Sequence, residues 1–315
     1  MLAALPVAAR LAAPLGAQRP NTQEGYVVTQ DSMRLFYRVV GSGPDTIIAI
    51  HGGPGVNMES IAADFAPLAA RHTVIFYDQR GTGRSTLPRD TTKLGAAQQI
   101  ADLEAVRAHF GVERVALVAH SYGPLLAATY ALEHPEHVSR MVFFGPVPPR
   151  RADLWQRVGR AFTARLDSAQ RARLADANRR LADSSADIEQ ACRDYWAIAL
   201  RPRLADPDRS LPLIRSEFCT SNPAGIRYGL TVTNRVVMAS YGDWDLRDRL
   251  RTLRVPTLIV YGEADAIPED LVLEWVSTLP HAAFLPVPGA AHFAYAERPD
   301  FVWPRVERFL SGARP

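Results

Sequence analysis

Three residues of this 315-residue chain, Ser121, Asp265 and His292, could do chemistry together although they stand far apart in sequence. Each comes shortly after a short apolar run: Val115 to Ala119 before Ser121, Pro256 to Tyr261 before Asp265, and Ala283 to Val287 before His292. A serine hydroxyl is a weak nucleophile at neutral pH and needs a neighbouring base, itself oriented by an acid. Ser121 lies between Ala119 and Gly123, small residues two before and two after it. That is the pattern of a sharp strand-to-helix turn that pushes a hydroxyl out of a sheet, with alanine where glycine is commoner. The chemistry this set could do is nucleophilic acyl transfer.

The elements that must position these residues follow from the apolar pattern. Residues 25–40 read as an antiparallel hairpin at a sheet edge. Asp45 to Ile50, Thr73 to Tyr77, Val115 to Ala119, Ser139 to Phe144, Pro256 to Tyr261 and Ala283 to Val287 read as buried strands. Helical segments are expected over 59–70, 95–110, 124–133, 269–279 and 299–310, with Ile100, Leu103, Val106 and Phe110 at helical spacing in the second. Strands alternating with helices predict an α/β fold, a mostly parallel sheet covered by helices on both faces. Loops after the strand C-termini of such a sheet open on one edge, so Ser121, Asp265 and His292 should converge there. Their order along the chain, Ser then Asp then His, is that of α/β-hydrolases. Between these runs, residues 147–249 offer no buried strand but Arg- and Ala-rich amphipathic segments punctuated by proline. The expected organisation is an N-terminal segment 1–24, a core of 25–146 with 250–315, and an inserted helical cap 147–249.

A second signal is His51-Gly-Gly-Pro-Gly55, just past a strand. An acyl-transfer intermediate needs two N–H donors aimed at its oxyanion, each contributing about 3 kcal/mol. The expected donors are Tyr122 N–H, directly after the serine, and Gly53 N–H, because glycine lets the backbone approach a substrate closely. Other bases and acids have duller expectations. His120 should point away from the exposed apex, His72, His134 and His137 should be exposed at helix ends, and Asp78 should form a structural ion pair with Arg80 or Arg84.

Composition narrows the function classes. The chain is 47% hydrophobic and 22% charged with a net charge of +3, as expected of a globular protein. All of its 36 basic residues except Lys93 are arginine, and they are dispersed rather than gathered on one element, which argues against a nucleic-acid partner. Residues 1–17 are mostly Ala, Leu, Val and Pro and resemble the apolar part and small-residue cleavage site of a secretory signal, although Arg10, Pro6 and Pro14 interrupt it. The expectation is a secreted or periplasmic protein, with a cytoplasmic one as the alternative. No other stretch approaches the ~20 apolar residues of a membrane span, so integral membrane association is not expected. Cys192 and Cys219 fit either one disulfide or two buried thiols.

His51 to Gly55 together with Asp78-Gln-Arg-Gly-Thr-Gly-Arg-Ser85 resembles the proline iminopeptidase family of serine aminopeptidases, over roughly 25–146 and 250–312. The resemblance implies a capped α/β-hydrolase acting through an acyl-enzyme on Ser121, with family members removing N-terminal residues from short peptides; the serine chemistry itself is expected to need no cofactor or metal. The cap departs from the family. Where family members hold the substrate's amino group with cap glutamates, the nearest counterparts here are Leu200, after Trp196, and Thr233, before Asn234. Glu217, Asp243 or Asp245 could substitute, and Trp196 and Trp244 are the expected apolar lining. A carboxylesterase acting on small acyl or aromatic esters is therefore the alternative, and a non-catalytic ligand receptor on the same fold is a third reading. Serine at position 121 excludes dehalogenase or epoxide-hydrolase chemistry, which needs an aspartate nucleophile there.

Overall fold

The computed structural model describes residues 22–313. Eight strands form one sheet: β1 (Thr22–Val28), β2 (Arg34–Val40), β3 (Thr46–Ile50), β4 (Thr73–Tyr77), β5 (Val115–His120), β6 (Val138–Phe144), β7 (Thr257–Gly262) and β8 (Ala282–Val287). Their spatial order is β1-β2-β4-β3-β5-β6-β7-β8. The hairpin β1–β2 lies at one edge and joins β4 antiparallel, and all later pairings are parallel. β5 is buried along its whole length between β3 and β6, where Ala119 pairs with Ile50 on one side and Phe143 on the other.

Because successive strand residues face opposite ways, β5 feeds two cores. Val115, Leu117 and Ala119 join Leu103, Val106, Leu125 and Trp275 from helices Ala96–His109, Gly123–Glu133 and Glu269–Thr278. Ala116 and Val118 join Phe65, Val302 and Val306 on the other face, the last two from helix Pro299–Leu310.

One helical expectation is corrected. The segment 59–70 is a single turn at Glu59–Ala62 and a 3₁₀ helix at Ala66–Ala70, not one helix. Pro67 explains the break: a proline inside the expected helix has no N–H to donate and its ring crowds the carbonyl four residues back. Beyond β6, helices Leu154–Ala164 and Ser168–Ala182 are divided by Asp167, whose side chain forms a reciprocal capping box with Gln170.

Between β6 and β7 the described residues add no strand to the sheet, only one isolated bridge between Arg150 and Asp245. Helices Leu154–Ala164, Ser168–Ala182, Ile188–Ala199, Pro223–Tyr228 and Asn234–Ser240 lie there, the last two joined by a π-helical turn, Gly229–Thr233. Their own small core includes Leu181, Ile188, Ala191 and Ile226. A disulfide joins Cys192 to Cys219, tying helix Ile188–Ala199 to the loop beyond it. Asp64 pins the same loop from below by accepting from the N–H groups of Arg215 and Ser216. The apolar segment 1–17 lies outside the described residues, among which no helix is long and apolar enough to cross a membrane.

Candidate active site

β5 ends at His120, and Ser121 takes a left-handed backbone with φ of 62°, a conformation that costs a non-glycine residue about 1–3 kcal/mol. The surroundings hold it there. Ser121 N–H donates to Phe144 O at 2.9 Å, and Val147 N–H donates to Ser121 O at 3.0 Å. Glycine is needed at position 123, since a Cβ there would fall 2.8 Å from Ile50 O. Ala119 is tolerated at the other flank because it lies in the strand, fully buried and in register with its neighbours.

The loops after β7 and β8 bring Asp265 and His292 together. His292 Nδ1–H donates to Asp265 Oδ2 at 2.9 Å, and Asp265 Oδ1 accepts from Ile267 N–H at 3.1 Å. That bond leaves the proton on Nδ1 and a lone pair on Nε2. Ser121 and His292 line the same two adjoining cavities. The Ser121 hydroxyl makes no hydrogen bond, to His292 or to any other group, among the described residues.

Two supports escaped the sequence reading. A Cβ on Gly145 would lie 2.9 Å from His292 Nδ1 and 3.1 Å from Asp265 Oδ2, so only a bare backbone fits behind the pair. The signal was a glycine ending the run of β6. Glu297, in the short helix after the histidine loop, accepts from Ala291 N–H at 2.7 Å and from Ala205 N–H and Ser210 Oγ at 2.9 Å. Burial raises its pKa, opposed by those hydrogen bonds.

The glycine loop follows β3 and turns through a cis Gly53–Pro54 bond, with Gly53 at φ of 108°. His51 latches it: Nε2 accepts from Gln79 N–H at 3.2 Å while Nδ1 bonds Gly52 O at 3.0 Å. Burial lowers the His51 pKa to about 4 and keeps the ring neutral. Gly53 lines both cavities, and the N–H groups of Gly53 and Tyr122 donate to no acceptor among the described residues. The Tyr122 side chain turns into the core, its hydroxyl 3.3 Å from that of Tyr241.

His120 is buried, its Nε2 3.2 Å from His292 O, and burial drives its pKa well below the usual imidazole value. Its ring packs against His292 at 4.7 Å between centroids, and the residue lines the larger cavity beside Ser121. Other expectations are corrected. His72 is buried against Glu307 at 3.0 Å, because helix Pro299–Leu310 covers it. Asp78 does pair with Arg84, whose Nε lies 4.0 Å from its Oδ2, and is held more closely by the N–H groups of Met58 and Arg84, at 2.9 and 2.8 Å. Arg84 directs its guanidinium to Glu59, and Arg80 bonds Asp102 and Asp31.

Trp196 lines the larger cavity with Tyr195 and Phe218, stacked on the last at 4.3 Å. Trp244 does not line either cavity: it is buried in the core with Nε1–H donating to Pro148 O. Glu217 and Asp243 are exposed and outside the cavities, and Asp245 pairs with Arg247 at 2.6 Å. Leu200 is core, and Thr233 donates to Gly81 O. The larger cavity, about 280 Å³, has no Asp or Glu in its lining among the described residues. The smaller, about 110 Å³, is lined by Val147, Leu154, Trp155, Val158, Phe162 and Ile267, and its single acid among the described residues is Asp265, already bonded to His292. Arg203, which sequence reasoning overlooked among so many arginines, lines both.

Known proteins share this architecture. A proline iminopeptidase of Lactiplantibacillus plantarum is 26% identical over 286 residues, covering 88% of this chain and 97% of that protein. The crystal structure of a proline iminopeptidase of Mycobacterium smegmatis superposes with a TM-score of 0.67 at 23% identity, over 92% of this chain and 98% of that one. A thermophilic esterase from Thermogutta terrifontis superposes with a TM-score of 0.64 at 22% identity, over 92% and 98%. The family described as alpha/beta hydrolase fold matches residues 45–299, from β3 past the loop that carries His292, and to that family this chain belongs.

Proposed function

We propose that the protein is a serine hydrolase that cleaves amide or ester bonds of small substrates through an acyl-enzyme on Ser121. The observation that carries this reading is a left-handed Ser121 sharing a cavity with His292, whose Nδ1–H is bonded to Asp265. His292 Nε2 takes the proton of Ser121 Oγ as that oxygen bonds to the substrate's carbonyl carbon. The carbonyl electrons move to oxygen, where the N–H groups of Gly53 and Tyr122 stabilise the negative charge. Collapse breaks the bond to the amine or alcohol, which takes the proton from the imidazolium. Water then attacks the acyl-enzyme with His292 as base, and the acid leaves with Ser121 restored. No cofactor enters this scheme.

The named relatives favour N-terminal aminopeptidase action on short peptides as the first reading. A specific observation favours the second, a carboxylesterase: among the described residues the cavity lining has no free carboxylate to receive a substrate's ammonium. Assaying one preparation against prolyl-4-nitroanilide and 4-nitrophenyl butyrate separates them, and turnover of the ester alone removes the peptidase. Labelling of wild type by a fluorophosphonate, lost in Ser121→Ala, is expected under both; an unlabelled wild type sinks both.

Export from the cytoplasm is also proposed, supported by the Cys192–Cys219 disulfide and by the apolar composition of residues 1–17. Protein recovered outside the cytoplasm with its N-terminus near Gln18 is expected; an intact Met1 on cytoplasmic protein overturns this.

A further inference from the structure

Among the described residues, Arg203 is the one lysine or arginine in the lining of both cavities beside Ser121 and His292. It follows helix Ile188–Ala199, and its backbone carbonyl accepts from His292 N–H at 3.0 Å, which fixes it against the catalytic loop. Aromatic faces hold the guanidinium: its carbon lies 4.8 Å from the centre of the Phe162 ring and 6.0 Å from that of Trp196. One nitrogen, Nη1, donates to Ala199 O. No carboxylate lies at ion-pair distance from Arg203 among the described residues, and nearby Asp265 is occupied by His292 and Ile267. Withdrawal from bulk solvent lowers its pKa, the sign of a cation lacking full compensation.

A guanidinium in this position offers a planar fork of N–H donors suited to a carboxylate and opposes an incoming ammonium. We propose that Arg203 selects substrates carrying a carboxylate near the scissile bond, with the small apolar cavity taking an uncharged side group. This rests on the serine hydrolase reading and names its substrate class. The carboxylate could belong to the acyl part, as in a half-ester or half-amide of a dicarboxylic acid, or to the leaving part, as in an N-acyl amino acid.

Two measurements test it, one independent of turnover. In the Ser121→Ala background, calorimetric binding of the mono-propylamide of glutaric acid and of N-butyrylglycine, each against its uncharged carboxamide, reports the charge preference and its side. The carboxylate of at least one pair should bind about tenfold or more tighter, a preference that adding Arg203→Gln removes and Arg203→Lys partly keeps. In the otherwise native protein, kcat/KM for 4-nitrophenyl hemiglutarate against 4-nitrophenyl valerate should show the same preference if the carboxylate is on the acyl side. Equal or better binding of both carboxamides overturns the proposal, as does a preference that survives Arg203→Gln. Thermal unfolding of each variant identifies one that has lost its fold, in which case Arg203→Lys and the wild-type pairs decide. Absence of fluorophosphonate labelling and of valerate turnover would instead count against the hydrolase reading, while the binding measurement still decides the charge preference.

Discussion

Gly55 and Gly229 touch backbone to backbone: a Cβ added to either would lie 2.2 Å from the carbonyl oxygen of the other. This contact seats the π-helical turn of the cap directly on the glycine loop that presents Gly53. Asn234 strengthens it by donating from Nδ2 to Pro54 O at 2.7 Å. The backbone geometry at Gly53, the proposed oxyanion donor, is thereby tied to the seating of that helical turn.

Gly229→Ala tests that coupling. Gly229 has a helical backbone with φ of −58°, where alanine would ordinarily stabilise by roughly 1 kcal/mol. The crowded contact should reverse the sign, destabilising by about 1–3 kcal/mol and lowering kcat/KM as the loop shifts. Unchanged melting temperature and activity would show that the two elements yield freely.

Ser121→Ala should reduce kcat on 4-nitrophenyl butyrate by at least roughly 10³-fold, and Asp265→Asn by about 10⁴-fold, with folding intact in each. Asparagine can reverse the hydrogen bond and leave the proton on the wrong imidazole nitrogen. An Asp265→Asn enzyme within tenfold of wild type, by the estimate just given, would remove that residue's orienting role.

His51 predicts an acid limb of stability. Its pKa is about 4 in the folded chain against an ordinary 6.5, so the unfolded chain binds the proton first as pH falls. Its contribution is complete above about pH 6.5 and is lost progressively down to about pH 4, amounting to roughly 3 kcal/mol. Asp78, raised by burial to about 6, works in the opposite direction across an overlapping range. Comparing denaturant unfolding of wild type and His51→Asn at pH 7 and pH 4.5 cancels the Asp78 part. The variant should lose less stability on acidification, and parallel losses would contradict the assignment.

The Cys192–Cys219 bond closes a sequence separation of 27 residues, for which loop entropy gives about 3.5 kcal/mol. The double variant Cys192→Ala, Cys219→Ala should melt at lower temperature and raise KM more than it lowers kcat. The reason is local: Trp196 and Phe218, which line the cavity, flank the two cysteines. A fall in kcat at constant KM would show that the bond serves the core rather than the cap.

Sequence by itself determined the sheet, the elbow and the meeting of Ser121, Asp265 and His292 at one edge. Those features depend on local apolar runs, on the alternation of strands with helices, and on the rule that parallel strands open their loops on one side. Tertiary structure alone decided what surrounds them. Gly145 and Glu297 act through neighbours distant in sequence, Trp244 proved to be core and Glu217 exposed, and the cysteines paired. Arg203 looks like any of its fellow arginines until the chain is folded. Whether a charge faces a cavity, a partner or water is set by packing between elements, and no local pattern carries that information.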